Sequence, residues 1–199
     1  MAEVRPAALQ KQGDGSKKQW ENCAAASAAM AALRARKNVN PKLGFPWLTT
    51  TLPTMSSAIR KWCDNHFDTT VVDGLYQSWV NKAVKRMYGV TMGYAFGIDW
   101  RTAVAFLKDH RGITVTIQYS EVLGTRYASS STFRGRHRVY VNHRRRNKRT
   151  GKFQFLVYDP LADGRRAWVP KGPQWWPAGL LRRATEAAGI EVSYTPKTA

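Results

Sequence analysis

Acidic residues are scarce in this chain: 13 Asp and Glu stand against 32 Lys and Arg, a formal charge of +19. Cysteine is scarcer, with only Cys23 and Cys63. Two thiols are too few for a disulfide framework or a thiolate zinc site, each of which takes about four or more. His66, His110 and His143 fall in no Cys/His/Asp cluster with ligand spacing. No metal or cofactor is therefore expected, and each of these histidines reads as solvated or hydrogen-bonded. Long apolar runs are missing as well. None approaches the ~20 residues that cross a bilayer, and Met1-Ala2-Glu3-Val4-Arg5-Pro6 lacks the apolar stretch of a secretory signal. The expectation is a cytoplasmic protein with no membrane partner.

What is present is core material. Hydrophobic residues make up 43% of the 199, with eight Trp and seven Phe, enough to bury a core and to exclude wholesale disorder. Residues 1–18 are polar and rich in Gly and Lys, and read as an extended or flexible lead-in to a single domain over 19–199. A helical part is expected over about 19–110, from an alanine-rich run after Asn22 and helical stretches at 54–66, 77–87 and 99–108. A β part is expected over about 113–170. Its clearest strands are 113–119, 137–143 and 153–159, with a short candidate at 90–94 before it and edge strands at 167–169 and 190–194. The C-terminal helix and strand occupy about 175–195. Helices first and antiparallel strands second make an α+β layout.

One thiol stands apart. Cys63, within Arg60-Lys61-Trp62-Cys63-Asp64, reads as a small buried apolar residue. Cys23 follows Asn22, a good N-cap, and opens Cys23-Ala24-Ala25-Ala26-Ser27-Ala28-Ala29-Met30. A helix start exposes sulfur to the positive end of the dipole and to unpaired N–H groups, which favour thiolate and can stabilise an oxyanion. The later hairpin supplies a partner. A turn centred near Lys148 sets His137 opposite Asp159 and His143 opposite Phe153. A carboxylate facing an imidazole holds its tautomer and stabilises the imidazolium.

These segments resemble the papain-like cysteine peptidases related to bacteriocin-leader (double-glycine) processing enzymes. Asn22-Cys23-Ala24-Ala25-Ala26-Ser27 is similar to the family's nucleophile helix. Gly135-Arg136-His137-Arg138-Val139 matches its His-opened strand, and Val157-Tyr158-Asp159-Pro160 its Asp-Pro ending. The likeness runs in order from about residue 19 to 165. It departs where the family's Gly-Pro after the nucleophile is Ala24-Ala25, and where its upstream Gln stands closer to the Cys. The resemblance implies a papain-like fold and a Cys23–His137–Asp159 triad acting on a peptide or isopeptide bond of a peptide or protein substrate. Gln19, with Gln12 as the alternative, would be its oxyanion donor.

Arg144, Arg145, Arg146, Lys148 and Arg149 crowd the hairpin turn and mark a candidate site for nucleic acid or another polyanion. Trp168, Trp175 and Trp176 read as indoles packed on the core, ahead of a ligand-stacking surface. A second reading of the chain is a non-catalytic, basic structural or nucleic-acid-binding protein. Papain-like domains of this type resemble products of bacteriophage structural genes, which implies a virion-associated location and virion proteins as partners.

Overall fold

The computed structural model describes residues 21–36, 53–71, 74–109, 112–162, 167–170 and 172–195. Helices α1 (Cys23–Arg36), α2 (Pro53–His66) and α3 (Gln77–Tyr88) come first. Strand β1 (Gly93–Phe96), helix α4 (Trp100–Asp109), and strands β2 (Ile113–Gln118), β3 (Arg136–Arg146), β4 (Phe153–Tyr158) and β5 (Gln174–Pro177) follow. Helix α5 (Ala178–Ala187) and strand β6 (Glu191–Tyr194) end the fold. The protein is thus α+β, with the six strands in one antiparallel sheet ordered β1-β6-β2-β3-β4-β5. No helix among the described residues is long and apolar enough to cross a membrane.

Local chemistry sets the helix ends. Asp99 caps α4: its Oδ1 accepts the Thr102 N–H at 2.8 Å and its Oδ2 the Thr102 hydroxyl at 3.1 Å. Gly89 stops α3 in the left-handed conformation at φ 65°, its N–H returning to the Lys85 carbonyl at 2.9 Å. In α2, Met55, Ile59 and Cys63 recur every fourth residue and are all buried.

Each face of the sheet carries its own core. Helices α1–α3 pack on one face, where Met30, Ile59, Val80 and Val84 meet Tyr140 and Tyr158 of the sheet. Helices α4 and α5 cover the other, where Leu107, Leu180 and Leu181 meet Val115, Val139, Val157 and Trp176. Alternation along β3 explains the split, since Tyr140 points to one core and its neighbours Val139 and Val141 to the other. Helix α1 is the most enclosed element. Every residue from Ala24 to Leu33 is buried, which small side chains permit because they let neighbouring backbones approach.

Several expectations are corrected. The strand foreseen at 90–94 lies at 93–96, and 167–169 form a turn. The foreseen edge strand 190–194 lies inside the sheet, between β1 and β2, because α5 packs across β2 and carries the chain from β5 to the opposite side. The hairpin register also differs. Tyr140 faces Tyr158, where a turn centred on Lys148 would give Leu156, and His143 faces Leu156 instead of Phe153. The turn is centred further along the chain than assumed, which offsets the register by three residues, and a β-bulge between Val141 and His143 takes one back to leave two.

The packing of α1 makes a direct prediction. Enlarging the fully buried Ala29 to Leu should destabilise the protein by about 1–3 kcal/mol through overpacking. The exposed Ala105→Leu should change stability by less than ~0.5 kcal/mol. Thermal unfolding of the two variants measures the difference.

Candidate active site

The pairing of β4 with β3 begins at Tyr140 and Tyr158. Beyond it, the edge of β3 that would face β4 is open at residues 136–139. Helix α1 docks there through one residue. The Ser27 hydroxyl donates to the Arg138 carbonyl at 2.9 Å, and the Arg138 N–H donates to the Cys23 sulfur. In an antiparallel strand the N–H and C=O of one residue face the same neighbour, so the first turn of α1 sits where β4 would have continued. Cys23 is thereby pinned against the strand that carries His137.

His137 is buried, and its Nε2 lies 2.7 Å from Asp159 Oδ1. With Nε2 engaged, Nδ1 is the ring nitrogen that faces Cys23, to which the imidazole is hydrogen-bonded. The pairing survives the register correction for a geometric reason. A shift of two residues keeps every side chain on its face, whereas a shift of one would have turned Asp159 away. Asp159 falls across from Val139 by continuation of the register and reaches His137 as a diagonal neighbour on the same face.

The carboxylate is held by more than the histidine. Asp159 Oδ1 accepts the Leu161 N–H at 2.8 Å, and its Oδ2 accepts the Tyr119 hydroxyl at 3.3 Å. Tyr119 Oη in turn accepts the Ser129 N–H at 2.6 Å. The rings of Tyr119 and Phe133 stand edge-on to the imidazole, with centroids 5.3 and 6.0 Å away. They shield the pair from water and leave few orientations for the ring.

Burial and charge oppose each other at each group. Burial pushes the Cys23 thiol up, but the hydrogen bond and charge of His137 outweigh it, helped by the Arg138 N–H and guanidinium, and the thiol ends below its ordinary value. Burial alone would lower His137, while the Asp159 charge and hydrogen bond, with Cys23 behind them, push it up to about 10. Asp159 is likewise drawn below the carboxylate range by His137 and the Leu161 N–H against its own burial. Each group thus favours the charged form of its neighbour. Cys63 is the contrast: buried, beside Asp64, its thiol is pushed up to about 12.

Arg138 draws on a second cluster. Its Nη2 lies 2.6 Å from Glu191 Oε1, a carboxylate that also accepts from Thr116 Oγ1 at 2.6 Å, Tyr94 Oη at 3.0 Å and Arg136 Nη2 at 3.0 Å. This network fixes a buried guanidinium whose charge lowers the Cys23 thiol. The arginines beside His137 are expected from the sequence to depress the thiol, and Arg138 does so. Ser27, Tyr119, Ser129 and Glu191 were not foreseen from the sequence. Their partners lie up to 111 residues away, and no local pattern marks them.

The structure thus brings together Cys23, His137 and Asp159. Gln19 and Gln12 lie outside the described residues. The first backbone N–H groups of α1 have no intrahelical partner by position and can serve a developing oxyanion. Arg144, Arg145, Arg146, Lys148 and Arg149 are not part of this site. Arg146 closes β3, on the order of 30 Å along the strand from His137 at ~3.4 Å per residue. Among the described residues no group of three His, Cys, Asp or Glu could hold a metal ion. No protein-family model and no curated protein matches the chain.

The charge arrangement predicts a pH profile. Alkylation of Cys23 by iodoacetamide should have its midpoint below the ~8.5 of a free cysteine. His137→Ala removes the largest opposing influence and should move the midpoint upward, above neutrality. Cys63 should stay unlabelled until the protein unfolds. Rates followed by mass spectrometry across pH decide the matter, and a wild-type midpoint at or above the free value would refute the ion pair.

Proposed function

We propose that this protein is a papain-like cysteine hydrolase that cleaves a peptide or isopeptide amide through Cys23, His137 and Asp159. The observation that carries the reading is the Cys23–His137–Asp159 chain of contacts, with sulfur at a helix start and the imidazole Nε2 held 2.7 Å from a buried carboxylate. The helical-then-β order, and the resemblance of these three segments to leader-processing peptidases, support the same assignment.

The chemistry follows from the charges. The Cys23 thiolate attacks the acyl carbon, and the carbonyl π electrons move to oxygen, where the free N–H groups of the α1 first turn stabilise the anion. His137 gives its proton to the leaving nitrogen as the C–N bond breaks, which releases an amine and leaves a thioester on Cys23. Water then loses a proton to His137 and attacks the thioester. The C–S bond breaks, and carboxylic acid and thiolate are regenerated. Asp159 keeps the imidazole oriented and stabilises its charged form throughout.

The test uses a thiol-directed acyl probe, such as a peptidyl vinyl sulfone. Wild type should be labelled and Cys23→Ser should not. His137→Ala should slow labelling by about 10² or more, the range of general acid–base assistance. Equal labelling of wild type and Cys23→Ser would defeat the proposal. A folded wild type that resists the probe altogether would favour the non-catalytic, basic structural protein.

A further inference from the structure

We propose that the tip of the β3–β4 hairpin is a binding site for the phosphate backbone of nucleic acid. The proposal stands independently of the chemistry at Cys23. It begins with an imbalance in sequence. Between Glu121 and Asp159 there is no acidic residue, and this stretch forms the hairpin. Arg144, Arg145, Arg146, Lys148, Arg149 and Lys152 are all exposed at its far end. Among the described residues none of them has a carboxylate partner, unlike Arg60, Arg136, Arg138 and Arg182.

The arginines are held in place. The Arg144 and Arg146 guanidinium groups lie 4.6 and 4.9 Å from the Phe153 ring centroid. Arg145 lies 4.0 Å from that of Trp175, and its Nε donates to Gln154 Oε1 at 3.2 Å. A guanidinium stacked by its flat face keeps N–H donors along its edge, and holding the plane in advance reduces the entropy lost when a phosphate arrives. The turn is ordered as well. The Asn147 N–H donates to the Lys152 carbonyl at 2.8 Å, and the Gly151 N–H to the Asn147 carbonyl at 2.8 Å. Asn147 Oδ1 accepts the Arg149 and Thr150 N–H groups at 2.9 and 3.2 Å.

The charge is spread over two faces. Strand β2 pairs with β3 only as far as Val141, so β3 has an open edge from there to Arg146, while β5 flanks β4 as far as Gln154. The hairpin register places Arg144 and Arg146 on the face of Phe153, and Arg145 on the opposite face with Gln154. Positive charge therefore projects from both faces. The two sugar-phosphate strands of a duplex offer rows of phosphates that can meet both faces of this projection. An acidic peptide lying on one face would leave the other face's charge unanswered. Because the contacts are to phosphate, recognition is independent of sequence and steeply salt-dependent.

The experiment measures anisotropy of a fluorescein-labelled DNA duplex of about 20 base pairs, with full-length protein, across NaCl concentrations. Arg144→Gln/Arg145→Gln/Arg146→Gln should flatten the slope of log K against log[salt] by about 2 to 3, at ~0.9 per phosphate contact, and weaken binding at least tenfold near 0.1 M salt. The control Lys61→Gln/Lys85→Gln/Arg86→Gln removes the same charge from exposed positions on α2 and α3 and should change the slope by less than ~1. An unaltered Cys23 alkylation profile reports that the triple variant is folded. Should it be less stable, the three single substitutions carry the test, each lowering the slope by ~0.9. Cys23→Ser should bind DNA as wild type does. Equal slopes for wild type and the arginine triple would overturn the proposal. So would displacement of the duplex by polyglutamate at matched charge, which would point to an acidic polypeptide.

Discussion

The structure depends on one docking contact, the seating of α1 on the open edge of β3. Arg138 offers its carbonyl to Ser27 and its N–H to Cys23, because β4 stops at Tyr158 and leaves that edge unpaired. A buried backbone donor or acceptor without a partner costs free energy comparable to a lost hydrogen bond, so the helix must fill the gap. The alanines that let α1 sink into the core are what bring its first turn close enough. The meeting of Cys23 with His137 is thus a by-product of finishing a sheet.

That contact also sets the electrostatics. A thiolate and an imidazolium out of water would each be unstable alone. Here the sulfur and the imidazole face each other, with Asp159 behind the imidazole and Arg138 beside the sulfur, so each favours the other's charged form. Each of these outer charges is itself answered: Asp159 by Leu161 and Tyr119, Arg138 by Glu191. Among these described groups, each buried charge therefore faces a compensating partner.

The hairpin β3–β4 carries two chemistries at its two ends, and the bulge between Val141 and His143 separates them. Before the bulge, alternation places His137, Val139 and Val141 on the α4–α5 face. After it, Arg144 and Arg146 share the face of Phe153, and Arg145 takes the other. The added residue resets the alternation, so the end near Cys23 and the basic tip are built to different requirements on one continuous strand.

Sequence by itself determined the helices and the main strands, because alanine content, caps and alternating patterns are local properties. Cys23 at a helix start, the neighbourhood of His137 and Asp159, and the basic turn were legible for the same reason. The α+β order followed from them. Tertiary structure alone decided the register of the hairpin, since turn length and the bulge at Asn142 depend on how both faces pack. It alone placed β6 inside the sheet, because strand order reflects where α5 crosses. It also chose the supporting groups Ser27, Tyr119, Ser129 and Glu191, whose partners are distant in sequence and meet only when the sheet and α1 close together. The His137–Asp159 pairing was foreseen with the wrong register and survived because the error was even. A strand alternates with period two, so the face was right although the opposing residue was not.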